Sequence, residues 1–194
     1  MKGPLELSEI GRIADAFFQP HADLSVGEAR EKIMQYAGRL TLLYVEDEKS
    51  TREAVAGELN GLGFRKVVTA GDGSEGLAAY RKAKGFSVVL TDFDMPGMNG
   101  VELIDAICRM QPRQVFMVLS NYQADEFSRR INRGKLIFPG PKIPIARHVN
   151  KAQLQTRFWN RFARVCGIAC MGLAFEAIET KVGQAGAAAG APGL

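Results

Sequence analysis

The run "VVLTDFD" ends in two acids two residues apart, Asp92 and Asp94, and the run "LLYVEDE" ends in Glu46 and Asp47. Acids that close an apolar strand stand at its carboxyl end, the edge where open α/β sheets bind their ligands. Glu46, Asp47 and Asp92 would then crowd one cleft from two strand ends. Like charges held that close disfavour one another. A hard divalent cation with oxygen ligands, Mg²⁺, relieves them at least cost. Ser120 closes a further apolar run, "QVFMVLS", and brings a hydroxyl to the same rim. Lys142, after the short run "LIF" (136–138), brings a cation. Acids, a metal, a hydroxyl and a lysine together suit the holding of a phosphoryl group.

Alternating strands and helices must position these groups. The spacing predicts strands over 40–45, 66–70, 87–91, 114–120 and 136–138. Helices are expected from Ser50 to Leu62 behind the capping box Ser50–Glu53, over 73–83, over 101–110 and over 124–133. Continuous apolar strands are those of a parallel sheet covered on both faces. Short βα units make it a doubly wound α/β fold of five strands, with added terminal helices. The expected organisation is an N-terminal helical extension (1–39), a central domain (40–148), a long C-terminal helix (149–183) and a flexible tail (184–194). Within the first zone, Ser25 and Glu28 form a capping box that opens a second helix.

Residues 40 to about 150 resemble the receiver domain of bacterial two-component response regulators, the CheY-like family. The matching pieces are "LLYVEDE", "VVLTDFDMPGMNG", "FMVLS" and Lys142, with spacings close to the family's. The resemblance implies a flavodoxin-like sheet of order 2-1-3-4-5. It implies Asp92 as the acceptor of a phosphoryl group from a sensor histidine kinase or a histidine phosphotransfer protein. Glu46, Asp47 and Asp92 would hold Mg²⁺, with Asp94 contributing its backbone carbonyl. Ser120 would bond a phosphoryl oxygen and Lys142 would pair with its charge. The protein would be a signalling switch rather than an enzyme, because phosphoryl transfer asks mainly for positioning and charge neutralisation.

The chain departs from the family pattern at named positions. Lys142 is followed by Ile143 where the family has proline. The family's switch aromatic lies three residues before the lysine; here that residue is Pro139, with Phe138 beside it. Either Phe138 substitutes in a shifted register or the aromatic rotation is absent. Asn121 stands where the family has a small residue after the hydroxyl. Asp94 and Tyr122 occupy the positions that tune dephosphorylation, and are read as screens against the attacking water.

The 194 residues are 46% hydrophobic and 24% charged, enough to build a globular core. Cys108, Cys166 and Cys170 show no metal or disulfide spacing, which fits a reducing, cytoplasmic setting. No run of about 18 apolar residues is long enough to span a bilayer. Cys166 and Cys170, four apart on a helix, read as small core residues. From Arg129 to Arg164 there is no acid, and Arg157, Arg161 and Arg164 share a helix face. A nucleic-acid contact there is the alternative to a solvated basic face, and the latter is favoured. The apolar stripe beyond Ile168 outruns the sheet. It is expected to meet the N-terminal helices and a second copy, giving a homodimer through the termini. The remaining alternative is a scaffold receiver that works without phosphorylation.

Overall fold

The computed structural model describes residues 24–122, 145–150, 158–170 and 172–173, with 145–150 described as backbone. In chain order the elements are α1 (Val26–Ala37), β1 (Thr41–Val45), α2 (Lys49–Gly61), β2 (Lys66–Ala70), α3 (Gly73–Ala83), β3 (Val88–Asp92), α4 (Gly100–Met110), β4 (Val115–Ser120) and β5 (Ile145–Asn150). A further helix, α5, runs over 159–170. The five strands form one parallel sheet of order β2-β1-β3-β4-β5, as expected.

Side chains alternate across the sheet with a period of two, and this splits the core into two layers. Leu42, Tyr44, Val88, Leu90, Met117 and Leu119 face one way, towards α1, α2 and α5. Leu43, Val45, Val89, Phe116 and Val118 face the other way, towards α3 and α4. Strands β1, β3 and β4 are buried nearly throughout, while β2 at the edge exposes Lys66 and Thr69.

The terminal helices cap the first face. Phe158 and Phe162 stack at 5.2 Å, and Phe162 is fully buried beside Phe64. Cys166 and Cys170 lie in the same core, as read from the sequence. Asn160 locks the start of α1: its Oδ1 accepts the Leu24 N–H at 3.1 Å and its Nδ2 donates to the Leu24 carbonyl at 2.6 Å. The Arg30 guanidinium lies 4.5 Å from the centre of the Trp159 ring, a cation–π contact. Ser25 and Glu28 form the expected capping box on α1.

Three expectations change. The fifth strand is Ile145–Asn150, not 136–138, a segment outside the described residues. It runs across the expected domain boundary at 148, so the C-terminal helix cannot begin at 149. The capping box at Ser50 is absent, because α2 starts at Lys49 behind Glu48. The hydroxyls of Ser50 and Thr51 donate instead to the Glu48 carboxylate, at 2.8 and 2.6 Å. The helix expected over 124–133 and the tail after 184 lie outside the described residues. Among the described residues, no helix is long and apolar enough to cross a membrane.

Candidate phosphoryl site at the carboxyl end of the sheet

Parallel register delivers the acids to one edge. Val45 pairs with Thr91, so the residues that follow each, Glu46 and Asp92, leave neighbouring strands side by side. Carboxylate oxygens of Glu46, Asp47 and Asp92 all lie within 4.8 Å of one another. Glu46 is fully buried, Asp92 is 5% exposed, and Asp47 faces solvent. Two buried acids and one exposed acid at this separation repel unless a cation joins them. An all-oxygen donor set with one open side fits a hard divalent ion.

Several contacts fix the acids. The Tyr44 ring sits in the α1–α5 core layer, and two residues on, with the same facing, is Glu46. The Tyr44 hydroxyl donates to Glu46 Oε2 at 3.2 Å. Burial, and then the Glu46 charge, push the Tyr44 phenol well above its ordinary range. The Arg52 guanidinium donates to the carbonyls of Glu46 and Asp47, at 2.5 and 3.1 Å, tying the acidic turn to α2. Asp92 Oδ1 accepts the Phe93 N–H at 2.7 Å, and the Thr91 hydroxyl donates to the Asp92 carbonyl at 2.9 Å.

The loop after Asp92 is held just as closely. Gly97 takes a left-handed conformation at φ +73°, which glycine adopts without strain. Asn99 caps α4, accepting N–H bonds from Val101 and Glu102 at 3.0 Å, while Glu102 accepts the Asn99 N–H. Gly100 donates to the Phe93 carbonyl at 3.0 Å. A Cβ built there would land on the Asp92 carbonyl oxygen, so only glycine allows this approach.

Asp92 pairs with Leu119, which sets Ser120 at the rim on the adjoining strand, 1% exposed. Its Oγ accepts the Tyr122 N–H at 3.1 Å. The Tyr122 ring meets Phe93 edge-on, centroids 5.8 Å apart and planes at 88°. Asn121 is exposed, as is Asp94, which stands outside the acidic trio.

The fold thus brings together Glu46, Asp47, Asp92 and Ser120. Lys142 and Phe138 lie outside the described residues, and both precede β5 in the chain. Lys142 thus precedes the fifth strand in the chain instead of following it. The carboxyl end of that strand is Asn150, paired with Ser120, and the next residue in the chain is Lys151. The sequence signal was present as "HVNK", but Arg147 and His148 break the apolar run that marks the other strands.

The family model for the response regulator receiver domain matches residues 42–134. The chain is 30% identical over 90 residues to the "Probable chemotaxis protein CheY" of Rhizobium etli, covering 45% of this chain and 68% of that one. It is 36% identical over 104 residues to a response regulator receiver protein of Anaeromyxobacter sp., covering 54% of this chain and 42% of that one. Among solved structures, the chemotaxis response regulator CheY4 of Vibrio cholerae superimposes with a TM-score of 0.51 at 27% identity, covering 64% of this chain and 97% of that one.

Proposed function

The chain belongs to the response regulator receiver family, and on that footing we propose that Asp92 accepts a phosphoryl group from a histidine kinase or a histidine phosphotransfer protein. The observation that carries this reading is the convergence of Glu46, Asp47 and Asp92 within 4.8 Å, one strand from Ser120. In the transfer, a carboxylate oxygen of Asp92 forms the new O–P bond. The P–N bond of the donor phosphohistidine breaks, and its electron pair returns to the imidazole. The three carboxylates and the Asp94 carbonyl would hold a Mg²⁺ ion, which would supply charge neutralisation. The Ser120 hydroxyl donates to a phosphoryl oxygen.

The ammonium that pairs with the phosphoryl charge falls to Lys151 rather than Lys142. Support comes from the register of β5, whose last residue pairs with Ser120. By the same count the position three before the lysine is His148, not Phe138. Ala152 then stands where the family has proline.

Phosphorylation would bias the β4 rim, and through it partner contacts. A dimer contact belongs on α1, where Val26 and Met34 are 37% and 54% exposed beside the terminal cap. Phe158, Trp159 and Phe162 are core residues, so the alternative nucleic-acid contact would rest on the arginines of this helix, Arg164 being exposed. The test is intact mass after treatment with acetyl phosphate and Mg²⁺. A single phosphoryl adduct that Asp92→Asn abolishes is expected. No adduct on the unaltered chain would favour a scaffold receiver.

A further inference from the structure

At the opposite edge of the sheet, beneath the amino ends of β1, β3 and β4, lies a cavity of about 640 Å³. Thr41, Ser87 and Gln114 mark its floor, and Ala169, Gly172 and Leu173 close it from the C-terminal helix. Among the described residues its charged lining is Arg39, Arg65, Arg81, Lys84 and Arg113, with no Asp or Glu. A five-residue strand at about 3.3 Å per residue separates this cavity from the acidic site by about 16 Å, so one does not explain the other.

Cations gather at this edge for one ordinary reason. The helices run antiparallel to the strands, so their carboxyl ends meet here, each worth about half a negative charge. Four helices, α1 to α4, supply far less than five full positive charges, and the cavity keeps a positive excess. Arg65, Arg81, Lys84 and Arg113 are all exposed, and none takes part in an ion pair among the described residues. Apolar surface lies in the same lining: Met110 is 44% exposed and Leu173 is 37% exposed. The volume is that of a small-molecule pocket. Guanidinium groups match phosphate oxygens in a two-pronged geometry.

We propose that this cavity binds a polyphosphate chain, carried by a nucleotide whose base rests on Met110 and Leu173. The phosphates face the four exposed cations, and the side-chain amide of the exposed Gln111 faces the sugar. This site is independent of the phosphoryl chemistry at Asp92.

The test is titration calorimetry of the full chain, without divalent metal and at low salt, against ATP, inorganic triphosphate and adenosine. ATP is expected to bind at one per chain, with triphosphate weaker and adenosine at least tenfold weaker than ATP. The pair Arg65→Ala, Arg113→Ala should lower ATP affinity at least tenfold. The charge-matched pair Lys49→Ala, Arg164→Ala, away from the cavity, should change it less than threefold. Equal affinity for ATP and triphosphate would still support the site and remove the base contact. Absence of ATP binding, equal losses in the two pairs, or adenosine binding as tightly as ATP would overturn the proposal.

Discussion

The Tyr44 hydroxyl donates to Oε2 of Glu46 across 3.2 Å, from a ring that is itself fully buried. A core side chain therefore orients one member of the acidic trio from below. Partners of this kind, behind a metal ligand, typically carry about a 10- to 100-fold effect on metal affinity. Tyr44→Phe keeps the ring and removes only the donor. Its Mg²⁺ affinity, followed by titration calorimetry, should fall by about tenfold while the thermal midpoint stays within a few degrees. Unchanged affinity would show that Glu46 needs no such support.

The second prediction concerns alkaline pH. Burial raises the Cys108 thiol to about 11 and the Tyr80 phenol to about 12, from 9.0 and 10.0. Both groups are neutral when protonated, and the folded chain holds the proton more tightly than the unfolded one. Their contribution is fully present below about pH 9, and it is lost as pH rises towards 12. The urea midpoint should therefore fall steadily from pH 8.5 to 10.5. A constant or rising midpoint over that range would contradict the burial of these groups.

The third separates two lysines. Lys151→Ala should leave the fold intact and abolish the change in oligomer mass or partner binding that follows phosphodonor treatment. Lys142→Ala should keep that change. The reverse pattern would return the role to Lys142 and discard the argument from β5 register.

The fourth concerns access of water. Tyr122 packs edge-on against Phe93, directly after Asp92. Tyr122→Ala removes that cover, and Asp94→Ala removes the exposed acid beside it. The pair should speed loss of the phosphoryl group several-fold, read as decay of the mass adduct after the donor is removed. An unchanged lifetime would confine both residues to packing and solvation.

How much of this was legible depended on local signal. Strands β1, β3 and β4 carry largely apolar runs, and β2 (66–70) and α3 (73–83) fall on their expected residues. The acids that end β1 and β3 were readable because polar groups stand out against such runs. Strand β5 was missed because an edge strand pairs on one side only and tolerates Arg147 and His148. The apolar "LIF" upstream competed for the assignment and drew the lysine with it. The Ser50 box failed because its hydroxyls found Glu48 first. Tyr44, Arg52 and the basic cavity escaped for another reason. Their meaning lies in contacts between distant segments, and no spacing in the chain announces that Arg39, Arg65 and Arg113 share one rim.

The central claim is that Asp92 is the phosphoacceptor of a metal-assisted site. Peptide mass mapping after acetyl phosphate and Mg²⁺ treatment, with and without a chelator, addresses it most directly. One phosphoryl group is expected, on the peptide containing Asp92, and it disappears with the chelator and in Asp92→Asn. An adduct on another residue, or none on a folded chain with Mg²⁺ present, would contradict it.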